Sequence, residues 1–199
     1  MCDTSTALLL SALLLSDIPS EDRLGYDIRS ALPEDVNFLP EIERMAGLLF
    51  ESYPGDLGLT DQTFAHVTSV ETFGKAQQAG HLWVAVAPAG DVVGFALVSD
   101  VCGYAHLDEL DVLPSHGRRG VGSALVATVC SWARDAGYPA VTLRTFRDVP
   151  WNGPFYQRQG FRVTDSSALS SEHVGLESSE RQHGLRTDLR VTMAFLTAG

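Results

Sequence analysis

No two cysteines in this chain are spaced to hold a metal. Cys2, Cys102 and Cys130 are an odd number, widely separated, with no CxxC pair. They supply neither a disulfide framework nor a zinc site, so no metal centre is expected. Such usage fits a reducing compartment, and the localisation it implies is cytoplasmic. Cys130 falls at an apolar position of a predicted helix, where a free thiol serves as a small core residue. Positive charge is also scarce: 14 Lys and Arg stand against 25 Asp and Glu, a net charge of −11. A general nucleic-acid binder needs Lys and Arg clustered on phosphates, which this chain does not offer. An acidic cleft would instead tolerate a small cationic substrate. Long apolar runs are missing too. Ala7-Leu8-Leu9-Leu10-Ser11-Ala12-Leu13-Leu14-Leu15 is too short to span a bilayer. Asp3 stands where a signal peptide carries Lys or Arg, and no clear small-x-small cleavage site follows. Residues 1–25 are therefore expected to be a loose or briefly helical extension, with no membrane partner.

What remains, residues 26–199, reads as one domain. With 199 residues, 45% of them apolar and 20% charged, the chain can bury a substantial core. Tyr26-Asp27-Ile28-Arg29 forms a short strand. Pro33-Glu34-Asp35 opens a helical stretch in which Leu39, Ile42, Met45, Ala46, Leu49 and Phe50 recur at helical spacing as far as Tyr53-Pro54-Gly55. A second helix is expected from Thr60 to Ala79, stopped by Gly80. His81 to Ala87 and Val92 to Val98 flank the turn Pro88-Ala89-Gly90-Asp91 as an antiparallel pair. A strand from Tyr104 to Leu113 follows, then a helix from Val121 to Ala136 and a strand from Ala140 to Phe146. A short helix from Pro154 to Gln159 and strands at Phe161-Arg162-Val163 and Arg190 to Phe195 complete the pattern. Ser166 to Leu185, rich in Ser, Glu, His and Gly, reads as a long loop. Antiparallel strands followed by a strand–helix–strand crossover make a mixed sheet in an α/β chain of α+β type.

The chemistry concentrates between Leu107 and Leu125. An apolar strand ends at Pro114, a turn Ser115-His116-Gly117-Arg118-Arg119-Gly120 follows, and a helix opens on Val121-Gly122-Ser123. Free backbone N–H groups at the positive end of a helix dipole make a phosphate cradle. It is not a nucleoside-triphosphate loop, because Ser123 stands where that motif requires lysine. It is not a dinucleotide loop either, because Leu125 occupies the third glycine position and the strand follows a hairpin. The segment does resemble the acyl-CoA motif Q/R-x-x-G-x-G/A of the GNAT (Gcn5-related) N-acetyltransferase superfamily. Gly120 and Gly122 hold the fixed glycine positions, while Gly117 occupies the leading one and Arg118 and Arg119 carry the charge. Tyr156, Gly160 and Phe161 match the later family signature Y-x-x-x-G-F, with Asn152 closer to the tyrosine than is common. The likeness covers roughly Tyr26 to Phe195.

The resemblance implies a GNAT fold. That is a mixed, mostly antiparallel sheet of six to seven strands with about four helices, splayed at an acetyl-CoA site between Leu113 and Phe146. It implies acetyl-CoA as co-substrate, its pyrophosphate on the N–H groups of Arg119, Gly120, Val121, Gly122 and Ser123, with Arg118 and Arg119 adding charge. Its pantetheine arm would pair with strand backbone at Asp111, Val112 and Leu113, and Asn152 and Tyr156 would complete the cofactor contacts. Acetyl transfer needs a base for the amine, a donor for the carbonyl oxygen and an acid for the leaving thiolate. Tyr156 is the family-matched acid and the Val112 N–H the oxygen donor. Glu109 is the chosen base, directly or through water, with His106 and His116 as alternatives. By strict alternation Glu109 shares a face with Asp111 and Leu107, unless a bulge intervenes. Phe146 and Trp151 are expected to line the acceptor pocket beside Glu109, with Phe155 close by. The expected activity is N-acetylation of a primary amine on a small molecule, in a ternary complex. Acetylation of protein amino termini or lysines, or a non-catalytic acetyl-CoA-binding module, are the alternatives, and a homodimer is compatible with the sequence.

Overall fold

The computed structural model describes residues 25–60, 67–182 and 184–197. The expectation for residues 1–25 falls, but for Gly25, outside them. Strands β1 (Asp27–Ser30), β2 (Leu82–Val86), β3 (Val92–Val101), β4 (Tyr104–Val112), β5 (Ala140–Phe146), β6 (Arg162–Thr164) and β7 (Arg190–Leu196) join one sheet. Its order is β1-β2-β3-β4-β5-β7-β6, and every neighbouring pair is antiparallel except β4 and β5. The helices are α1 (Leu39–Gly47), α2 (Val70–Ala79), α3 (Val121–Asp135), α4 (Gly153–Arg158) and α5 (Ser171–Gln182).

Two apolar layers sandwich the first half of the sheet. On one face Val121, Leu125 and Val129 of α3 pack on Ala96, Val98, Ala105, Leu107, Val141 and Met193, with Cys130 buried among them. On the other face Leu39 and Ile42 of α1 and Phe73 of α2 cover Val84, Phe95 and Leu97. The helix periodicity read along the chain is thus real core packing, since one stripe of each helix faces the sheet.

Two sequence expectations fail here. The helix expected from Thr60 to Ala79 is not continuous: residues 61–66 lie outside the described residues, residues 67–69 are not helical, and α2 starts at Val70, where Ser69 is extended and its hydroxyl caps the Thr72 N–H at 3.1 Å. The helix expected from Pro33 to Tyr53 is interrupted. Buried Asp35 accepts from the Leu32 N–H at 2.7 Å and pairs with Arg29 at 2.6 Å, holding a 3-10 turn ahead of α1.

The stretch expected as a long loop from Ser166 to Leu185 holds a twelve-residue helix, α5. It gives no apolar stripe to read, because it docks through polar groups. Only His173 is buried on it, and its Nε2 lies 3.1 Å from Thr142 Oγ1, which lies 2.9 Å from His106 Nδ1. Ser170 Oγ closes the chain at 2.8 Å from His173 Nδ1. Burial pushes His106 down to about 4, so it stays neutral at pH 7. No helix among the described residues is long and apolar enough to cross a membrane.

Thr142→Val keeps the volume of the side chain but leaves both imidazoles short of a partner. It should cost roughly 1–3 kcal/mol in chemical denaturation, the penalty of an unsatisfied buried polar group.

Candidate active site

β4 and β5 pair through only two register positions, Ala105 with Val141 and His106 with Thr142. Beyond them the strands part, and β4 is left with one edge free of its neighbour. A bulge marks the start of the opening: Val98 faces Leu107 and Leu97 faces Glu109, so Asp108 is the extra residue on β4. The bulge corrects the alternation expected from sequence. Leu107 packs into the α3-side core, whereas Glu109 sits opposite Leu97 and Asp111 opposite Phe95, on the α1 side. The N–H of Leu113 is already spent on Val93 O at 2.8 Å. Alternation along the strand then turns the backbone of Val112 to the open edge, so Leu113 and Asp111 face β3 instead.

The turn after β4 is built as a cradle. Arg118 has φ +57° and Gly120 φ +80°, a left-handed pair of positions that gathers successive N–H groups. Among the described residues no side chain caps α3, whose N-cap is Gly120. The N–H groups of Val121, Gly122 and Ser123 therefore have no helical partner and stand at the positive end of a fifteen-residue dipole. Tyr26 pins the turn, its hydroxyl 2.7 Å from His116 Nδ1 and 3.5 Å from Arg119 Nη1. Arg118 lines the cleft and Arg119 turns to Tyr26. A Cβ on Gly122 would stand 3.6 Å from Phe155 and 3.9 Å from Val112, so this position lies between β4 and α4.

The cleft formed by the parting strands measures about 1470 Å3. That exceeds the usual range for one drug-sized ligand and leaves room for two substrates. Tyr156, only 7% exposed, lines it from the α3-side core, and its hydroxyl has no hydrogen-bond partner among the described residues. Burial, with Asp111 and Glu109 nearby, raises its pKa further, so it stays protonated. Across the gap Glu109 is pushed well above the ordinary glutamate value, first by burial, then by Asp111 and Glu43. Burial and Glu43 push Asp111 up to about 8, and its Oδ2 has no partner among the described residues. Glu43, on α1, accepts from the Thr68 N–H at 3.0 and 3.1 Å.

Of the histidines considered as bases, His106 is consumed by Thr142 and lies outside the cleft lining, and His116 belongs to the cradle. Phe146 is buried with Leu57 and Val149, and Trp151 packs edge-on against Phe50 and Tyr53 at 5.8 and 6.0 Å. Trp151 Nε1 and Asn152 Oδ1 are buried without partners among the described residues, and both residues line the cleft. Arg144, Arg190 and Glu43 also line it, and sequence reading missed all three. No local motif marks them, since they arrive from β5, β7 and α1. Among the described residues no group of His, Cys, Asp or Glu could hold a metal.

A family model described as Acetyltransferase (GNAT) family matches residues 43–161, more than half of the chain. The chain belongs to the acetyltransferase (GNAT) family. It is an acyltransferase with the fold of that family, and solved structures agree on the fold. The paia N-acetyltransferase of Thermoplasma acidophilum, in complex with coenzyme A, superposes with TM-score 0.66 at 17% identity over 86% of this chain and 99% of that one. Rv2747 of Mycobacterium tuberculosis, in complex with CoA and NLQ, gives 0.60 at 22% identity over 85% and 98%. The ribosomal-protein-S18-alanine N-acetyltransferase of Escherichia coli gives 0.60 at 17% identity over 87% and 95%.

The carboxylates of this acetyltransferase set its pH response. Asp111 titrates near 3.8 when unfolded and near 8 in the fold, so between those values the folded chain holds the extra proton. Its contribution to stability therefore declines as pH rises through that window. Asp111→Asn should raise the melting temperature of the free protein at pH 8 by roughly 5 °C and leave it nearly unchanged at pH 4, read by scanning calorimetry.

Proposed function

We propose that the chain transfers the acetyl group of acetyl-CoA to a primary amine of a small molecule, by direct attack while both substrates are bound. The observation that carries the reading is the open backbone edge of Val112, set between Glu109 on the α1 side and Tyr156 on the α3 side. The residues fit the donor: the uncapped N-terminus of α3, the left-handed Gly120 and Arg118 answer the charge and contour of a pyrophosphate. Asn152 lines the same cleft, and its Oδ1 is buried without a partner among the described residues. Acetyl-CoA supplies, when bound, an activated thioester.

The chain's own groups do the rest. The acceptor enters from the α1 side as an ammonium, whose charge favours the ionised forms of Glu109 and Asp111 that burial and neighbouring carboxylates oppose in the free protein. Glu109, held well above the usual carboxylate range, is poised to take the amine proton near neutral pH, directly or through a water. The Val112 N–H donates to the thioester carbonyl oxygen as charge develops on it. Tyr156 donates its proton to the departing sulfur. Phe146 and Trp151 give the acceptor an apolar wall. Acetylation of a protein amino terminus or lysine is the second reading, and it needs an extended groove.

The test is thiol release from acetyl-CoA across a set of small amines and a peptide carrying a free amino terminus and a lysine. Turnover of small amines alone supports the proposal, and turnover confined to the peptide overturns the acceptor class. Glu109→Gln should lower kcat/KM roughly a hundredfold at pH 7, the loss shrinking as pH approaches the amine's own pKa. An unaltered pH profile would remove Glu109 as base. Tyr156→Phe should cut kcat at least about tenfold with acetyl-CoA affinity kept.

A further inference from the structure

The two walls of the cleft carry ionisable groups of opposite type. On the β4 and α1 wall, Glu109, Asp111 and Glu43 crowd together. On the β5 and β7 wall stand two guanidiniums, with Arg144 5% and Arg190 15% exposed. They share one comparably buried carboxylate, Glu180, 15% exposed, whose Oε2 takes Arg144 Nε at 2.9 Å and whose Oε1 takes Arg190 Nη2 at 3.0 Å. Glu177, the next acid, is 38% exposed, lies 3.6 Å from Arg144 Nη1 and pairs with Arg181 at 3.2 Å. The buried charge on this wall is therefore one negative short.

The hydrogen bonds show the same deficit. Arg190 reaches Glu180 and Arg144 O only through Nη2, while its Nε is buried without a partner among the described residues. Arg144 spends Nε on Glu180 and Nη1 on Thr192 Oγ1 at 2.8 Å, and its Nη2 is buried without a partner among the described residues. A clamp holding α5 to the sheet accounts for the bonds that are made, but not for the donors left over. Arg190 Cζ lies over the Phe146 ring, 4.8 Å from its centroid, a cation–π contact that helps fix the guanidinium at the cleft wall. It is close enough to Glu109 and Tyr156 to oppose the rise in both their pKa values, so it belongs to the same small space as the reacting groups.

We propose that Arg190, backed by Arg144, is the carboxylate-binding subsite of the acceptor cleft, and that the acceptor is an amino acid or close analogue carrying both an amine and a carboxylate. The inference rests on the acetyltransferase reading above. Such a zwitterion meets both walls at once. Its ammonium answers the carboxylates of β4 and α1, and its carboxylate supplies the missing negative charge beside Glu180, in the charge-assisted geometry that arginine favours.

Matched acceptors test this without any mutation. Lysine against cadaverine, arginine against agmatine and phenylalanine against phenethylamine differ by the carboxylate alone, and the amino-acid amides remove the charge while keeping the length. With acetyl-CoA and thiol release, at least one amino acid should exceed both its decarboxylated and amide partners at least about tenfold in kcat/KM, the difference lying in KM. Arg190→Lys retains a cation for Glu180 but deletes the Nε donor, and it should reduce that ratio to below about threefold, as should Arg190→Gln. Equal kcat/KM within every pair, with transfer proceeding, overturns the subsite and leaves the acetyltransferase reading intact. A wild-type ratio in Arg190→Lys overturns the assignment to Arg190. No transfer to any member of either series overturns both.

Discussion

Between β4 and β5 the sheet stops pairing after two positions, and most features of the site are consequences of that break. A parallel pair that continued would bury the backbone of both strands and leave no cavity. Here the crossover through α3 returns β5 beside the base of β4 only, and the bulge at Asp108 turns the upper half of β4 away. The unpaired edge at Val112 is an obligatory hydrogen-bonding surface without a partner, and an extended ligand can complete it as a strand would. The same parting opens a route through the plane of the sheet, so that groups from its two faces meet at one point.

The two faces contribute different chemistry. From the α3 side come Tyr156, Phe155 and the phosphate-type cradle, all attached to the apolar core. From the α1 side come Glu109 and Asp111, whose pKa values are raised first by burial and then by neighbouring carboxylates, Glu43 among them. A buried acidic cluster of this kind costs stability. In the proposed reaction an arriving ammonium offsets that cost, so that recognition of the amine and preparation of its base are parts of one electrostatic arrangement. The arginine wall on β5 and β7 repeats the arrangement with the signs reversed.

The strands and the cradle were legible because their signals are local. Ala140–Phe146 is a strand as read, and α3 opens at Val121 and ends within a residue of the expected stop. The spacing of Gly120, Gly122, Tyr156, Gly160 and Phe161 was enough to expect an acetyltransferase fold. Helix α5 was not legible, because it binds the sheet through His173, Glu177 and Glu180, and polar docking leaves no hydrophobic period. The face of Glu109 was not legible either, since a bulge is a property of the β3–β4 register and of neither strand alone.

By itself the sequence determined the strands, helix α3, the acyl-CoA-type turn and the candidate acid and base. Each of these rests on residues a few positions apart, where backbone geometry fixes the outcome. Only the tertiary structure decided which side chains line the cleft together. Glu43 on α1, Glu109 on β4, Tyr156 on α4 and Arg190 on β7 meet because the sheet opens between β4 and β5, and their charges act through space across that opening. Contacts of such sequence separation leave no periodic mark on the chain, and they become visible only once the strands have been placed.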